Sequence, residues 1–198
     1  MQALMMALMV MIQPSPLDVA TDAGTGLVLN EFMAHPLASE SQAEGEWIEL
    51  YNVTGCYINL SGWSISNDRG DQINLNTHLI APEGFFVLGA SGNDSRNGGY
   101  GPDYVYSGFS IYDNDVLTLR NGQGNIVDRI SFDSSWPVEA GRSTERINPG
   151  WVSNSSSSWE SALTTYGEGD YGTPGEQNSV YENSFAQNSW AFIKAFTL

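Results

Sequence analysis

The chain has 198 residues, of which 41% are hydrophobic and 12% aromatic, which excludes wholesale disorder and leaves room for one ordinary domain with appendages. Its formal net charge of −16, from 23 acidic and 7 basic residues, excludes the Lys and Arg clusters that neutralise nucleic-acid phosphates, so no nucleic-acid partner is expected. Cys56 is the only cysteine and leaves no intrachain disulfide, while 21 glycines and a single lysine, Lys194, favour short strands and tight turns over helices.

Residues Ala3 to Ile12 form an apolar run followed by Gln13, Pro14 and Pro16. Its length suits the hydrophobic region of an export signal and is too short to cross a bilayer. Ala20 and Ala23 supply small residues for a cleavage site, but no Lys or Arg precedes Arg69, so the basic flank of such a signal is missing. Residues 1–23 are therefore read as a signal peptide or N-terminal apolar segment, with a buried helix of the mature fold as the alternative. Export implies an extracellular or cell-surface location.

From Leu27 onward short strand patterns alternate with turn residues. Leu27 to Met33 is the first. In Glu46 to Tyr51, Ile48 and Leu50 share one face, with Trp47, Glu49 and Tyr51 on the other. Tyr57 to Leu60, Trp63 to Ser66 and Asp71 to Leu75 follow, the last two joined by the turn Asn67-Asp-Arg-Gly70. That turn contains Arg69-Gly70-Asp71, a tripeptide read by animal adhesion receptors; beside Asp68 it reads more simply as a turn. Gly84 to Leu88 is the next strand. Gly89 to Gly108 is the longest stretch without a strand pattern, and long loops on rigid scaffolds are where binding usually sits. Asp115 to Arg120 and Ile126 to Phe132 flank Asn121-Gly-Gln-Gly-Asn125, a β-hairpin signal. By alternation Asp128 falls on the face of Ile126, Ile130 and Phe132, where a carboxylate must be paired. Arg146 or a backbone turn is expected to satisfy one of the carboxylates Glu31, Glu49 or Asp128.

After Phe132 the strand patterns give way to Trp136-Pro137, Gly141 to Arg146 and a Ser-rich loop, Ser153 to Ser158. No repeat of fixed period appears, which excludes a propeller or solenoid. Sequons begin at Asn52, Asn59, Asn93 and Asn154, and matter only in a host that glycosylates. Residues 179–198 form an apolar C-terminal tail, with Trp190, Phe192, Ile193, Phe196 and Leu198 interrupted by Lys194. It reads as an extra strand, an interfacial helix, a docking segment or a tail packed on its own domain.

Taken in order, Leu29 to Met33, Glu46 to Asn52, Asn59 to Trp63, Pro82 to Leu88, Asp115 to Leu119, Val127-Asp128, Gly141 to Arg146 and Gly172-Thr-Pro-Gly175 ending at Asn178 resemble a lamin tail domain. The resemblance covers residues 24–178 and implies an all-β, immunoglobulin-like β-sandwich used as an interaction surface. In bacteria and archaea similar domains occur in exported proteins, often beside hydrolase domains. The acidic balance here departs from a chromatin-binding surface.

Chemistry is thinly represented. His35 and His78 are the only histidines, and no zinc-protease, nucleophile-elbow or phosphate-loop motif occurs. No catalytic residue is therefore expected, and Cys56 reads as a partly buried turn-edge residue. Calcium is the one cofactor with candidate ligands, Asp113 and Asp115, because paired carboxylates in a loop offer the hard oxygens it takes. Asp68 and Asp71 flank another turn, and Asp94 and Asp103 lie in the long loop. None fits an EF-hand, and solvated turn aspartates are the plain alternative. The reading that results is a non-catalytic extracellular binding module with an unidentified protein or surface partner and no transmembrane span. The alternative is a structural surface or envelope protein that anchors or self-associates through residues 179–198.

Overall fold

The computed structural model describes residues 26–182. The N-terminal segment 1–23, and the tail beyond Glu182, lie outside the described residues. Among the described residues the strands are, in chain order, β1 Leu27–Met33, β2 Trp47–Asn52, β3 Ile58–Asn59, β4 Ser64–Ser66, β5 Gln72–Asn74, β6 Leu79–Ile80, β7 Phe85–Gly89, β8 Tyr104–Val105, β9 Asp115–Arg120, β10 Ile126–Phe132, β11 Thr144–Arg146 and β12 Trp159–Ser161. Two single-turn helices, α1 Gln42–Gly45 and α2 Asp94–Asn97, lie in the connections.

One sheet has the order β12-β11-β1-β2-β7-β8, a second has β10-β9-β4-β5, and β3 pairs β6 apart from both. The two larger sheets face each other across one apolar core. Leu27, Leu29, Phe32, Ile48, Leu50 and Leu88 from the first meet Trp63, Ile65, Ile73, Leu117, Leu119 and Ile130 from the second. Phe32 stacks on Phe132 at 4.7 Å between ring centroids, joining the sheets directly. Each fully buried Leu, Ile or Phe contributes ~1.5–3 kcal/mol of transfer free energy, so this seam dominates the stability. The result is an all-β sandwich, as the strand patterning requires.

A β-bulge sets the facing of β1. Leu29 pairs with Leu50 and Glu31 with Glu49, so Asn30 has no opposite number. The extra residue shifts the alternation by one. Leu29 and Phe32 thus both reach the core, while Glu31 and Met33 turn to the outer face. A second bulge lies between Ile126 and Asp128 in the β9–β10 hairpin, leaving Ile126 exposed while Asp128 and Ile130 face inward. The hairpin loop closes as its glycines suggest, with Gly124 at φ +81° and Asn121 Oδ1 accepting from the Gln123 and Asn125 amides.

The outer face of the six-stranded sheet is covered too. Met33, Trp47 and Val87 pack there under Tyr100 and Tyr166, and the Trp47 indole donates to the Tyr166 hydroxyl at 3.1 Å. Trp63 thus fills the core between sheets, whereas Trp47 lies beneath a layer of loops. Those loops cross so closely that a Cβ at Gly167 would meet the Gly98 carbonyl oxygen, which explains the glycine there.

Candidate functional site

The two candidate calcium ligands go separate ways. Asp115 opens β9 only 2% exposed, its Oδ1 accepting from the Asp68 and Val116 amides and its Oδ2 from Tyr112. Burial pushes its carboxyl up against the opposing pull of those amides. Asp113 is exposed and meets His35 Nε2 at 2.9 Å. The remaining loop aspartates are dispersed as well: Asp68 lies 3.5 Å from Arg69, Asp71 accepts from Asn67, and Asp103 accepts from the Val87 amide at 2.8 Å. Among the described residues no three His, Cys, Asp or Glu side chains are grouped to hold a metal ion. Arg69-Gly70-Asp71 lies in a turn organised by Asn67, whose Oδ1 accepts from the Arg69 and Asp71 amides.

The long loop from Gly89 to Gly108 is bound to the sheet. The Glu46 carbonyl oxygen accepts from the Tyr100 hydroxyl at 3.0 Å, the Tyr106 hydroxyl at 3.2 Å and the Ala90 amide at 3.0 Å. Asn97 is fully buried and donates to the Ser91 and Tyr100 carbonyls. Burial pushes both phenols up, so both hydroxyls remain donors.

The most concentrated polar chemistry lies on the outer face of the six-stranded sheet. Glu49, Glu31 and Glu145 are direct cross-strand neighbours on β2, β1 and β11, and each is at most 1% exposed. A strap, Gly172 to Glu182, lies across them. The Thr173 amide donates to Glu31 Oε1 at 2.9 Å, the Gly175 amide to Glu49 Oε2 at 2.6 Å and the Val180 amide to Glu145 Oε2 at 3.0 Å. Ser143 and Ser179 hydroxyls donate to Glu31 and Glu145, and Asn30 donates to Glu49. Asn178 reaches beneath the strap to the Asn30 and Arg146 carbonyls. Burial, with the neighbouring carboxylates Glu49 and Glu145, pushes Glu31 well above the ordinary carboxylate range. Burial pushes Glu49 up to about 8.

On the inner face Asp128 and Arg146 join the sheets. Arg146 Nη1 donates to Asp128 Oδ2 at 3.0 Å, and the Leu29 amide donates to the same oxygen at 3.0 Å. Arg146 also donates to the Leu29 and Trp151 carbonyls. The pairing expected of Arg146 is therefore with Asp128, while Glu31 and Glu49 are satisfied by the strap and by polar neighbours. Glu145, Thr173 and Ser179 were not singled out by charge or alternation. Glu145 and Thr173 lie in the runs Gly141 to Arg146 and Gly172 to Asn178, which carry the resemblance, and Ser179 opens the segment read as the C-terminal tail.

The structure thus places the residues of those runs in one connected polar layer. The family model described as Lamin Tail Domain matches residues 20–134, a segment that includes the bulged strand β1, the β1–β2 pair and the β9–β10 hairpin. No curated protein matches the chain. With more than half of its length matched and its strands arranged as an immunoglobulin-like sandwich, the chain belongs to the lamin tail domain family.

Proposed function

We propose that the chain is a non-catalytic extracellular binding module. One observation carries this reading: the buried carboxylates are occupied by the fold's own amides, hydroxyls and Arg146, while three large apolar side chains stand exposed on two segments bonded to each other. Trp151, Val152 and Tyr181 are those side chains, and Asn148 ties their segments together by donating to the Glu182 carbonyl at 2.9 Å. Exposed aromatic and aliphatic groups beside a polar Ser-rich loop suit a protein partner, since such groups anchor interfaces. Capture from the native cell surface tests this. The wild-type chain retains a partner that a Trp151→Ser/Val152→Ser variant of unchanged melting temperature loses; equal retention by both sinks the proposed surface. The apolar run from Ala3 to Ile12 supports export, which is checked by sequencing the N-terminus of the protein recovered outside cells. A mature end near Ala20 or Ala23 is expected.

A second reading, anchoring or self-assembly through residues 179–198, is favoured by the strap. Ser179 and Val180 bond Glu145, and the Glu182 amide donates to the Ile147 carbonyl, so the apolar sequence that follows starts from a point tied to the domain. Size-exclusion chromatography with and without residues 183–198 separates the readings: oligomers that need the tail favour assembly, and an unchanged monomer favours soluble binding. Among the described residues no helix is long and apolar enough to cross a membrane.

A further inference from the structure

Thr173 Oγ1 lies 2.9 Å from Glu31 Oε2 and 2.9 Å from Glu145 Oε1. A threonine hydroxyl has one proton to give, and an ionised carboxylate can only accept. With both carboxyls ionised, one of these buried contacts would set two oxygen acceptors against each other. One carboxyl must therefore carry the second proton. Each carboxyl takes two donors on its other oxygen, Glu145 from Ser179 and Val180 and Glu31 from Ser143 and Thr173, so position in the row decides between them. Glu31 lies between two other carboxyls, which suits the neutral one.

We propose that the strap Gly172 to Glu182 is a proton-held latch, in which neutral Glu31 donates to Thr173 Oγ1, Thr173 donates to Glu145, and loss of the Glu31 proton as pH rises releases the strap. The carboxyls facing Glu31 favour its neutral form, against the Ser143 hydroxyl and the Thr173 amide, which favour the ionised one. Glu49 comes from β2 and Glu145 from β11, while Asp103 acts on Glu49 from the segment before β8. The Tyr166 phenol faces Glu31 from the loop layer. Among the described residues no Arg, Lys or His forms an ion pair with any of the three glutamates; Arg146, adjacent to Glu145, is turned to Asp128 on the other face. Deprotonated Glu31 would leave the row with no countercharge, and the strap could leave without breaking a β-ladder. The strap also forms one wall of a cleft of about 330 Å³ with Tyr100 and Tyr166, so its release widens that cleft.

The test is hydrogen exchange by mass spectrometry on the full chain, following peptides that span 172–182 as pH rises, with rates corrected for intrinsic exchange. The latch predicts that strap opening increases at a slope approaching about tenfold per pH unit while one proton is lost, with β9 and β10 still protected. In Glu31→Gln, whose amide donates to Thr173 without ionising, that slope disappears. A strap that opens with the same slope in both proteins, or only together with β9 and β10, overturns the proposal. Infrared difference spectra of the wild type give a second reading that needs no variant. A protonated-carboxyl band present at neutral pH and lost on strap opening is expected; its absence at neutral pH also overturns the proposal.

Discussion

Arg146 Nη1 and Asp128 Oδ2 meet at 3.0 Å between the two sheets, each side chain under a tenth exposed, and the Leu29 amide freed at the β1 bulge bonds the same carboxylate. Removing one partner strands the other charge in the interior. Arg146→Met is expected to lose about 3–5 kcal/mol in denaturant unfolding. Adding Asp128→Asn, which keeps an acceptor for Leu29 but no charge, recovers part of that loss. A double variant that is simply additive would show that the pair carries no interaction of its own.

The buried glutamates set the pH dependence. Burial raises Glu46 to about 7 and Glu49 to about 8 from an ordinary value of 4.5. Between the ordinary and raised values the folded chain binds more protons than the unfolded chain, so stability falls as pH rises. Their contribution is fully present below the ordinary value and lost as pH passes through the raised ones. The melting temperature is therefore expected to be higher near pH 5 than near pH 9. Glu49→Gln should flatten this fall by up to about 1.4 kcal/mol per pH unit across the window, as thermal scans at a series of pH values would measure.

Tyr100 and Tyr106 both hold the long loop by donating to the Glu46 carbonyl. Either Tyr→Phe substitution keeps the ring packing and removes one donor, so each is expected to cost about 0.5–1.5 kcal/mol. Tyr100→Phe should in addition speed amide exchange in α2, which Asn97 ties to the Tyr100 carbonyl. Exchange unchanged in α2 would show that Asn97 holds the helix without it.

Asn52 is a sequon in name only. Its side chain is fully buried and donates to the Cys56 and Ala81 carbonyls at 2.8 Å, while Asn59 and Asn154 are exposed. Folded protein secreted by a glycosylating host is expected to carry no glycan at Asn52, by peptide mass mapping. Asn52→Ala would remove the acceptor of the Thr54 amide and one donor each from the Cys56 and Ala81 carbonyls, at a cost of about 1–3 kcal/mol.

The hairpin and the first strand were legible because their apolar alternation is strong: β1, β9 and β10 begin and end where the patterns do. What escaped has physical causes. β11 is Thr144-Glu145-Arg146, entirely buried yet entirely polar, so no hydrophobic period marks it. β12, β6 and β8 are too short for a period to register. The bulge at Asn30 reverses the facing of Glu31 and Phe32 relative to simple alternation, which concealed the glutamate row. The Gly89–Gly108 segment has the composition of an open loop, but Tyr100, Tyr106 and Asn97 are separated in sequence and converge only in the fold. Asp113 and Asp115 look paired in the sequence, yet the bend at Asp113-Asn114 before β9 leaves Asp113 in solvent while Asp115 accepts from three backbone amides.

The order β12-β11-β1-β2-β7-β8 places the first strand between partners separated from it by very different lengths of chain. β1 can pair with β2 as soon as residue 52 is made, but its other edge stays open until Thr144 and Glu145 arrive, and Glu31 stays uncovered until Thr173 does. Assembly from the ribosome is therefore a waiting problem. A half-built sheet with a bare edge and a row of acidic side chains must persist while most of the chain emerges. The charge that Glu31 and Glu49 carry while uncovered, costly once buried, repels a second nascent chain from that edge and guards it until β11 comes.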